Sequence, residues 1–489
     1  MKTMKKIILL LTGICFSLTV NAQNLWKNGR LKVSDNQRYL QFENGRPFFW
    51  LGDTGWLMPE KLDRSKVSYY LSKCRRAGYN VVQVQVLNDV PSVNCYGQLS
   101  NPLGWDMSKA DPEGVYSYWD HMDYIIDTAA RNGIFIGMVT IWGSQVKNGN
   151  INEDQAKAYG RFLAERYKDK PNIIWIMGGD IPGDVHPEVW HALATAIKSI
   201  DHNHLMTYHP RGRFTSARWF SNAPWIDFHM YQSGHRRYGQ RMGNADYPIP
   251  DNTEEDVWMY VDSTWKYKPI KPVLDAEPSY EAIPIGLHDP NEGRWKDCDV
   301  RRYAYWDVFA GCCGHTYGHN SIMQMLEPGH GTGYGRDGEE KSWIDALEDP
   351  GFNQMKYLKN LMLTFPYMER VPDQSVIAGK NGAQYDRLIA TRGKSYLLVY
   401  NYHSNCMAID LRKISGGKKN VWWMDAASGK LKYLGEYANG VQTFTPLNVS
   451  DKIEDGVLIA VDATKTYLSI DQKEINDLSL SDRNRNLNE

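Results

Sequence analysis

The sequence predicts an α/β protein: a (β/α)8 barrel of the TIM type followed by a C-terminal β-sandwich. From about residue 47, short apolar runs alternate with amphipathic helical segments, the pattern of a parallel sheet wrapped by helices. After a proline-marked stretch, Phe365-Pro366 and Val371-Pro372-Asp373, short alternating runs separated by Gly- and Asn-containing turns take over, as in a sandwich. The length of 489 residues exceeds one ordinary domain and fits a barrel of about 250 or more residues with a smaller partner.

The elements follow in order. Met1–Ala22 runs from Lys2, Lys5 and Lys6 through Ile7-Ile8-Leu9-Leu10-Leu11 to Val20-Asn21-Ala22, which reads as a cleavable secretory signal and a periplasmic or secreted product. The apolar stretch is short for a membrane span. Cys15 follows Ile14 rather than a small residue, which makes a lipoprotein the weaker alternative. Residues 24–46 predict a small β-hairpin over the bottom of the barrel. Eight strands are then expected at Phe48–Gly52, Val81–Leu87, Ile134–Trp142, Ile173–Met177, Leu205–His209, Phe228–Tyr231, Val273–Ala276 and His315–Tyr317. Between the first two, Asp63 caps a helix whose Val67, Tyr70, Leu71 and Cys74 share a face, and Gly78 ends it. Trp119, Met122, Ile126 and Ala129 repeat this before Gly133. Ala156, Tyr159, Phe162 and Leu163 do so before the fourth strand, and Val189, Leu193 and Ile197 before the fifth. A helix at Phe352–Leu363 completes a catalytic unit over 23–368. Ser395–Asn401, Val421–Met424 and Val457–Val461 belong to a sandwich over 369–470, and 471–489 form a polar tail.

Composition narrows the partners. Lys plus Arg number 56 against 57 Asp plus Glu, so no net field exists to hold nucleic acid or an anionic membrane. A neutral or near-neutral partner, such as an oligosaccharide or polysaccharide, fits that balance; the 17 Trp and 30 Tyr suit stacking on sugar C–H faces, though large cores account for most of them. Beyond the signal, Cys74, Cys95, Cys298, Cys312, Cys313 and Cys406 match no disulfide framework, and neither Cys-x-x-Cys nor His-Glu-x-x-His occurs. No metal site and no cofactor is predicted.

In barrel enzymes the working side chains stand at the C-terminal ends of the strands. Two acids stand there directly after strongly apolar runs, Asp180 after the fourth and Glu277 after the seventh. Strands four and seven face one another across a closed mouth. Glycoside hydrolysis needs such a pair, one carboxyl to protonate the leaving oxygen and one to attack the anomeric carbon or activate water. The assignment is Asp180 as acid/base and Glu277 as nucleophile, with Asp180 titrating the higher of the two. A retaining pair stands about 5–5.5 Å apart and an inverting pair about 6.5–9.5 Å. Against this, Gly178-Gly179-Asp180 also suits an ordinary turn. The same strand-end logic nominates Asp53, Trp56, Trp142, His209, Tyr231, Gln232, His319 and Asn320 for substrate binding, with the Tyr231 hydroxyl beside the nucleophile.

Arg46–Trp56 (RPFFWLGDTGW), Asn172–Asp180 (NIIWIMGGD), Pro272–Pro278 (PVLDAEP) and Gly314–Asn320 (GHTYGHN) resemble the apiosidases of glycoside hydrolase family 140 over nearly the whole mature chain. The resemblance implies a barrel with a C-terminal sandwich, catalytic residues at Asp180 and Glu277, and action on apiose in the rhamnogalacturonan II side chains of pectin. Two departures stand out. Gly179-Asp180 replaces the Asn-Glu usual in related barrels, and Met323 stands where a tryptophan is expected. The sandwich carries a collagen-binding label in this family; nothing in Ser375–Val461 points to collagen, and it reads as structural. Rival readings are a retaining enzyme for another plant or host glycan, a non-catalytic carbohydrate-binding barrel, and an aspartic protease built on Asp53-Thr54-Gly55, which lacks its second copy.

Overall fold

The computed structural model describes residues 25–101, 104–240, 255–287, 290–329, 341–446 and 455–467. The expected signal at 1–22 and the polar tail at 471–489 lie outside the described residues.

Eight short parallel strands form the framework: β1 (Trp50–Thr54), β2 (Val81–Gln85), β3 (Phe135–Val139), β4 (Ile173–Gly178), β5 (Met206–His209), β6 (His229–Gln232), β7 (Val273–Asp275) and β8 (Gly314–Tyr317). Six of them make one parallel sheet in the order β8-β1-β2-β3-β4-β5. The other two, β6 and β7, pair in parallel with His229 opposite Val273. Backbone hydrogen bonds cross both gaps, Asp227 N to Met206 O at 2.8 Å and Cys313 N to Val273 O at 2.9 Å. The result is a curled parallel sheet consistent with a TIM barrel. All eight strands are buried along their length, so apolar runs rather than alternation mark them.

The helices between them are fixed by local chemistry. Asp63 accepts from Lys66 N at the start of α1 (Arg64–Arg76), as the sequence predicts, and Gly78 follows its end at φ 92°. Ser117 with Asp120 and Asn152 with Gln155 form reciprocal caps on α2 (Tyr118–Arg131) and α3 (Glu153–Tyr167). The helices α4 (Pro187–Lys198), α5 (Trp258–Thr264), α6 (Asp297–Ala310) and α7 (Pro350–Thr364) continue the outer layer.

At the bottom, the expected hairpin is a three-stranded antiparallel sheet, Leu31–Val33, Leu40–Phe42 and Pro47–Phe48. Phe48 therefore belongs to this plug, and the first strand of the parallel sheet starts at Trp50. Phe42, Phe48 and Trp26 gather around one another and around Phe135 at the start of β3, with Phe48 and Trp26 edge-on to it at 5.3 and 5.1 Å.

The C-terminal unit holds a six-stranded antiparallel sheet, ordered Val371–Pro372, Ile389–Arg392, Tyr396–Asn401, Gly456–Asp462, Lys418–Asp425 and Leu431–Ala438, faced by a pair, Met407–Asp410 with Val441–Phe444. One apolar cluster, including Leu397, Val399, Ile409, Val421 and Leu458, lies between these layers. The proline-marked connection is pinned rather than loose: Arg370 is buried and donates to Val308 O and, at 2.7 Å, to Cys312 O.

Candidate active site

The turn after β4 brings Asp180 out of the sheet through three successive residues with positive φ, Gly178 at 87°, Gly179 at 113° and Asp180 itself at 53°. The glycines are dictated by space as well as by φ. A Cβ on Gly178 would lie 2.3 Å from His209 O, and one on Gly179 would lie 2.6 Å from the Trp142 ring. The Asp180 carboxylate accepts from Gly212 N at 3.4 Å in the loop after β5. Asp180 is exposed to solvent, with Glu277, Arg211 and His209 near enough to act on its charge. Neighbouring protein displaces part of its water and raises its pKa to about 6, with the negative charge of Glu277 adding to the rise and Arg211 and His209 opposing it.

Glu277 stands two residues past β7 and is largely buried. Its Oε1 lies 3.0 Å from His235 Nε2 and its Oε2 3.3 Å from His209 Nε2. Burial pushes its carboxyl up, but the two imidazoles outweigh it and hold the group at about 2. His209 is shared: its Nδ1 lies 3.4 Å from Asp180 N while its Nε2 faces Glu277. Two carboxyl groups that sense each other's charge therefore titrate far apart, the acid-side member at Asp180 and the ionised one at Glu277. A general acid and an anionic nucleophile need that order.

Around them are buried polar atoms with no hydrogen-bond partner: Gln83 Oε1, Gln85 Oε1, Gln232 Oε1 and the Tyr280 hydroxyl. Gln83 reaches across from β2 to donate to Ala276 O at 2.9 Å, which places its face of the strand inward, and Gln85 shares that face. Orphaned acceptors cost stability unless a ligand supplies donors, and sugar hydroxyls are such donors.

The strand-end candidates divide. Trp56, Trp142, His209 and Gln232 gather with the two carboxylates. Trp56 packs at 5.6 Å from both Trp142 and His209. It is buried, so it supports those rings and offers no free face to a sugar; Trp142 is the half-buried one. Four candidates are corrected. Asp53 is sealed against α1, accepting from Tyr70 Oη at 2.7 Å and Thr54 N at 2.9 Å. Tyr231 points toward α6, donating to Asp307 at 2.7 Å, and so does not hold the nucleophile. His319 caps the short helix Asn320–Met323 and contacts Asp349 at 3.0 Å, and Asn320 is buried against Gln324. Each side chain serves the loop or the layer behind it.

Two groups escaped the sequence reading. His235 lies three residues past β6, and Tyr280, whose ring meets that of His235 edge-on at 4.7 Å, lies three past Glu277. The run Gln232-Ser233-Gly234-His235 after an apolar strand was the available signal. Among the described residues no group of three His, Cys, Asp or Glu is placed to hold a metal ion, and no helix is long and apolar enough to cross a membrane.

Comparison with known proteins adds the following. Residues 34–369 match the family model described as the apiosidase-like catalytic domain, and residues 371–461 match one described as a collagen-binding domain of a collagenase. A solved structure named only as a glycoside hydrolase is 64% identical, covering 91% of this chain and 99% of its own, with a TM-score of 0.88. A glycoside hydrolase family 5 structure from Bacteroides vulgatus is 63% identical over 92% of this chain and 98% of its own, with a TM-score of 0.90. A further Bacteroides vulgatus structure, at 14% identity and a TM-score of 0.61 over 89% of this chain and 82% of its own, shares the fold. Among curated proteins no match was found.

Proposed function

Because the chain belongs to the apiosidase-like family and is a glycoside hydrolase, we propose that it removes apiose from rhamnogalacturonan II side chains of pectin by a retaining mechanism on a closed (β/α)8 barrel. Asp180 is the acid/base and Glu277 the nucleophile. The observation that supports this reading is the convergence of the two carboxyls on one histidine, His209, whose Nδ1 lies 3.4 Å from Asp180 N and whose Nε2 lies 3.3 Å from Glu277 Oε2. In the first step the Glu277 oxygen attacks the anomeric carbon while Asp180 passes its proton to the leaving oxygen, giving a glycosyl-enzyme. In the second, the oxygen of a water attacks the anomeric carbon as Asp180 takes its proton, and the bond to Glu277 breaks, which releases the sugar and restores the Glu277 carboxylate and the protonated Asp180. Gln85, Gln232 and Trp142 meet the sugar, and no cofactor enters the cycle. The assignment to glycoside hydrolase family 140, and a periplasmic or secreted location for the mature chain, belong to the same proposal.

The test is product analysis on rhamnogalacturonan II oligosaccharides with the wild type, Asp180→Asn and Glu277→Gln. Apiose released by the wild type with retained configuration, and by neither variant, is expected. Loss of activity in both variants on some other glycan discards apiose and keeps the mechanism. Activity surviving either change overturns the assignment of that carboxylate.

A further inference from the structure

Asp275, the last residue of β7, is fully buried and joins the two loops that bring Glu277 and His235 together. Its Oδ1 accepts from Glu277 N at 3.1 Å and faces Ser233 N at 3.4 Å, and its Oδ2 lies 2.5 Å from the Ser233 hydroxyl. Further bonds close the same joint: Gly234 N to Glu277 O at 3.3 Å, Ser279 Oγ to Gly234 O at 3.0 Å, and Trp295 Nε1 to His235 O at 3.2 Å. Behind Asp275 lie Asp307, Tyr231 and Cys312; Asp307 takes the Tyr231 hydroxyl at 2.7 Å and His315 Nδ1 at 2.9 Å. A carboxyl buried beside a second carboxyl is costly to keep. Its two hydrogen-bonded partners, Ser233 and Glu277, belong to the two loops that meet in the His235–Glu277 contact.

We propose that Asp275 is a positioning residue that locks the Ser233–His235 loop onto the end of β7 and thereby sets the ionisation of Glu277. The proposal rests on Glu277 as nucleophile for its catalytic consequence, but not for the linkage itself. The groups facing Glu277 are His209 from β5, His235 from the loop after β6, Asp180 from β4 and Tyr280 from its own loop. Of the two imidazoles, His235 is the one carried by the loop that the Asp275 joint holds; His209 comes from β5. Loosening the joint withdraws one imidazole from the carboxylate, and its acidity weakens.

The experiment follows the Glu277 carboxyl by ¹³C NMR titration in the full chain, assigned with Glu277→Gln, together with the pH dependence of kcat/KM. Asp275→Ala and Ser233→Ala are expected to raise the Glu277 titration and the acid limb together by about one pH unit or more. They should also lower kcat/KM by about tenfold, mostly in kcat. Asp275→Asn keeps an acceptor for Glu277 N and a polar group for the Ser233 hydroxyl, so it should restore most of both. If Asp275→Ala does not fold, Ser233→Ala decides the question. An unmoved Glu277 titration in the folded variant overturns the proposal, as does an Asn variant that behaves like Ala. A titration that moves while Glu277→Gln stays active upholds the joint and rejects the nucleophile instead.

Discussion

At the scale of single residues, the two carboxyls predict the pH dependence with its sign. The acid must be protonated, so kcat/KM falls as pH rises through about 6 at Asp180; the nucleophile must be ionised, so it falls again only as pH drops toward about 2 at Glu277. A broad acidic optimum is expected in a pH–rate profile, and a basic limb that persists in Asp180→Asn with an activated aryl glycoside contradicts the role of that residue. Asp53 makes a separate prediction. Burial pushes this sealed carboxyl up to about 6, with Tyr70 and Thr54 opposing. A raised acid binds its proton more tightly in the folded state, so its penalty is absent below its unfolded value and grows as pH rises toward 6. The shift is worth on the order of 3 kcal/mol. Asp53→Asn should flatten the fall in stability between about pH 4 and 7, measured by denaturant titration, and leave kcat/KM within about twofold, since Asp53 does not reach the cleft. A large loss of kcat/KM in this variant would restore Asp53 to the site.

At the scale of elements, the turn after β4 predicts how backbone shape controls chemistry. Gly179→Ala forces a Cβ into the Trp142 ring at a φ that only glycine adopts freely. A cost of about 1–3 kcal/mol in stability is expected, together with a fall in kcat larger than the change in KM as Asp180 swings from its place. Unchanged steady-state constants would show the turn to be passive. The same element shows what the sequence discloses. Helix caps at Asp63 and the apolar runs of the strands are local and were legible, as were the positions of Asp180 and Glu277 just past their strands, because a strand end fixes where a residue stands. Which way it points is another matter. In a strand buried on both faces, such as Trp50–Thr54, no alternation of polar and apolar residues marks the inward side. Asp53 and Tyr231 thus stand at the right height and face outward, to α1 and α6. His235 was hidden for the opposite reason: its place is set by loop contacts with Asp275 and Glu277, distant in sequence and close in space.

At the scale of the whole molecule, the C-terminal unit is joined to the parallel sheet's outer layer by buried charge. Arg301 on α6 pairs with Asp455 at 2.6 Å, both side chains nearly sealed, and Tyr400 donates to the same carboxylate at 2.8 Å while stacking on Tyr305 at 4.7 Å. Arg302 lies between the rings of Tyr385 and Tyr402, at 4.5 and 4.6 Å, and pairs with Glu255. A sandwich docked only as an accessory would not need ionic groups desolvated to this degree. The two units are therefore expected to unfold as one, giving a single calorimetric transition. Asp455→Ala partly strands the Arg301 guanidinium, which keeps Asp297 at 2.6 Å and Gln354, and should cost about 1.5–3 kcal/mol, lowering that one transition without splitting it. Replacing both partners, Arg301→Met with Asp455→Leu, removes the stranded charge and should recover much of the loss, a non-additivity that a double-mutant cycle measures directly. Two separate transitions in the wild type, or additive single effects, would make the sandwich an independent appendage, and its removal would then leave Asp180 and Glu277 undisturbed.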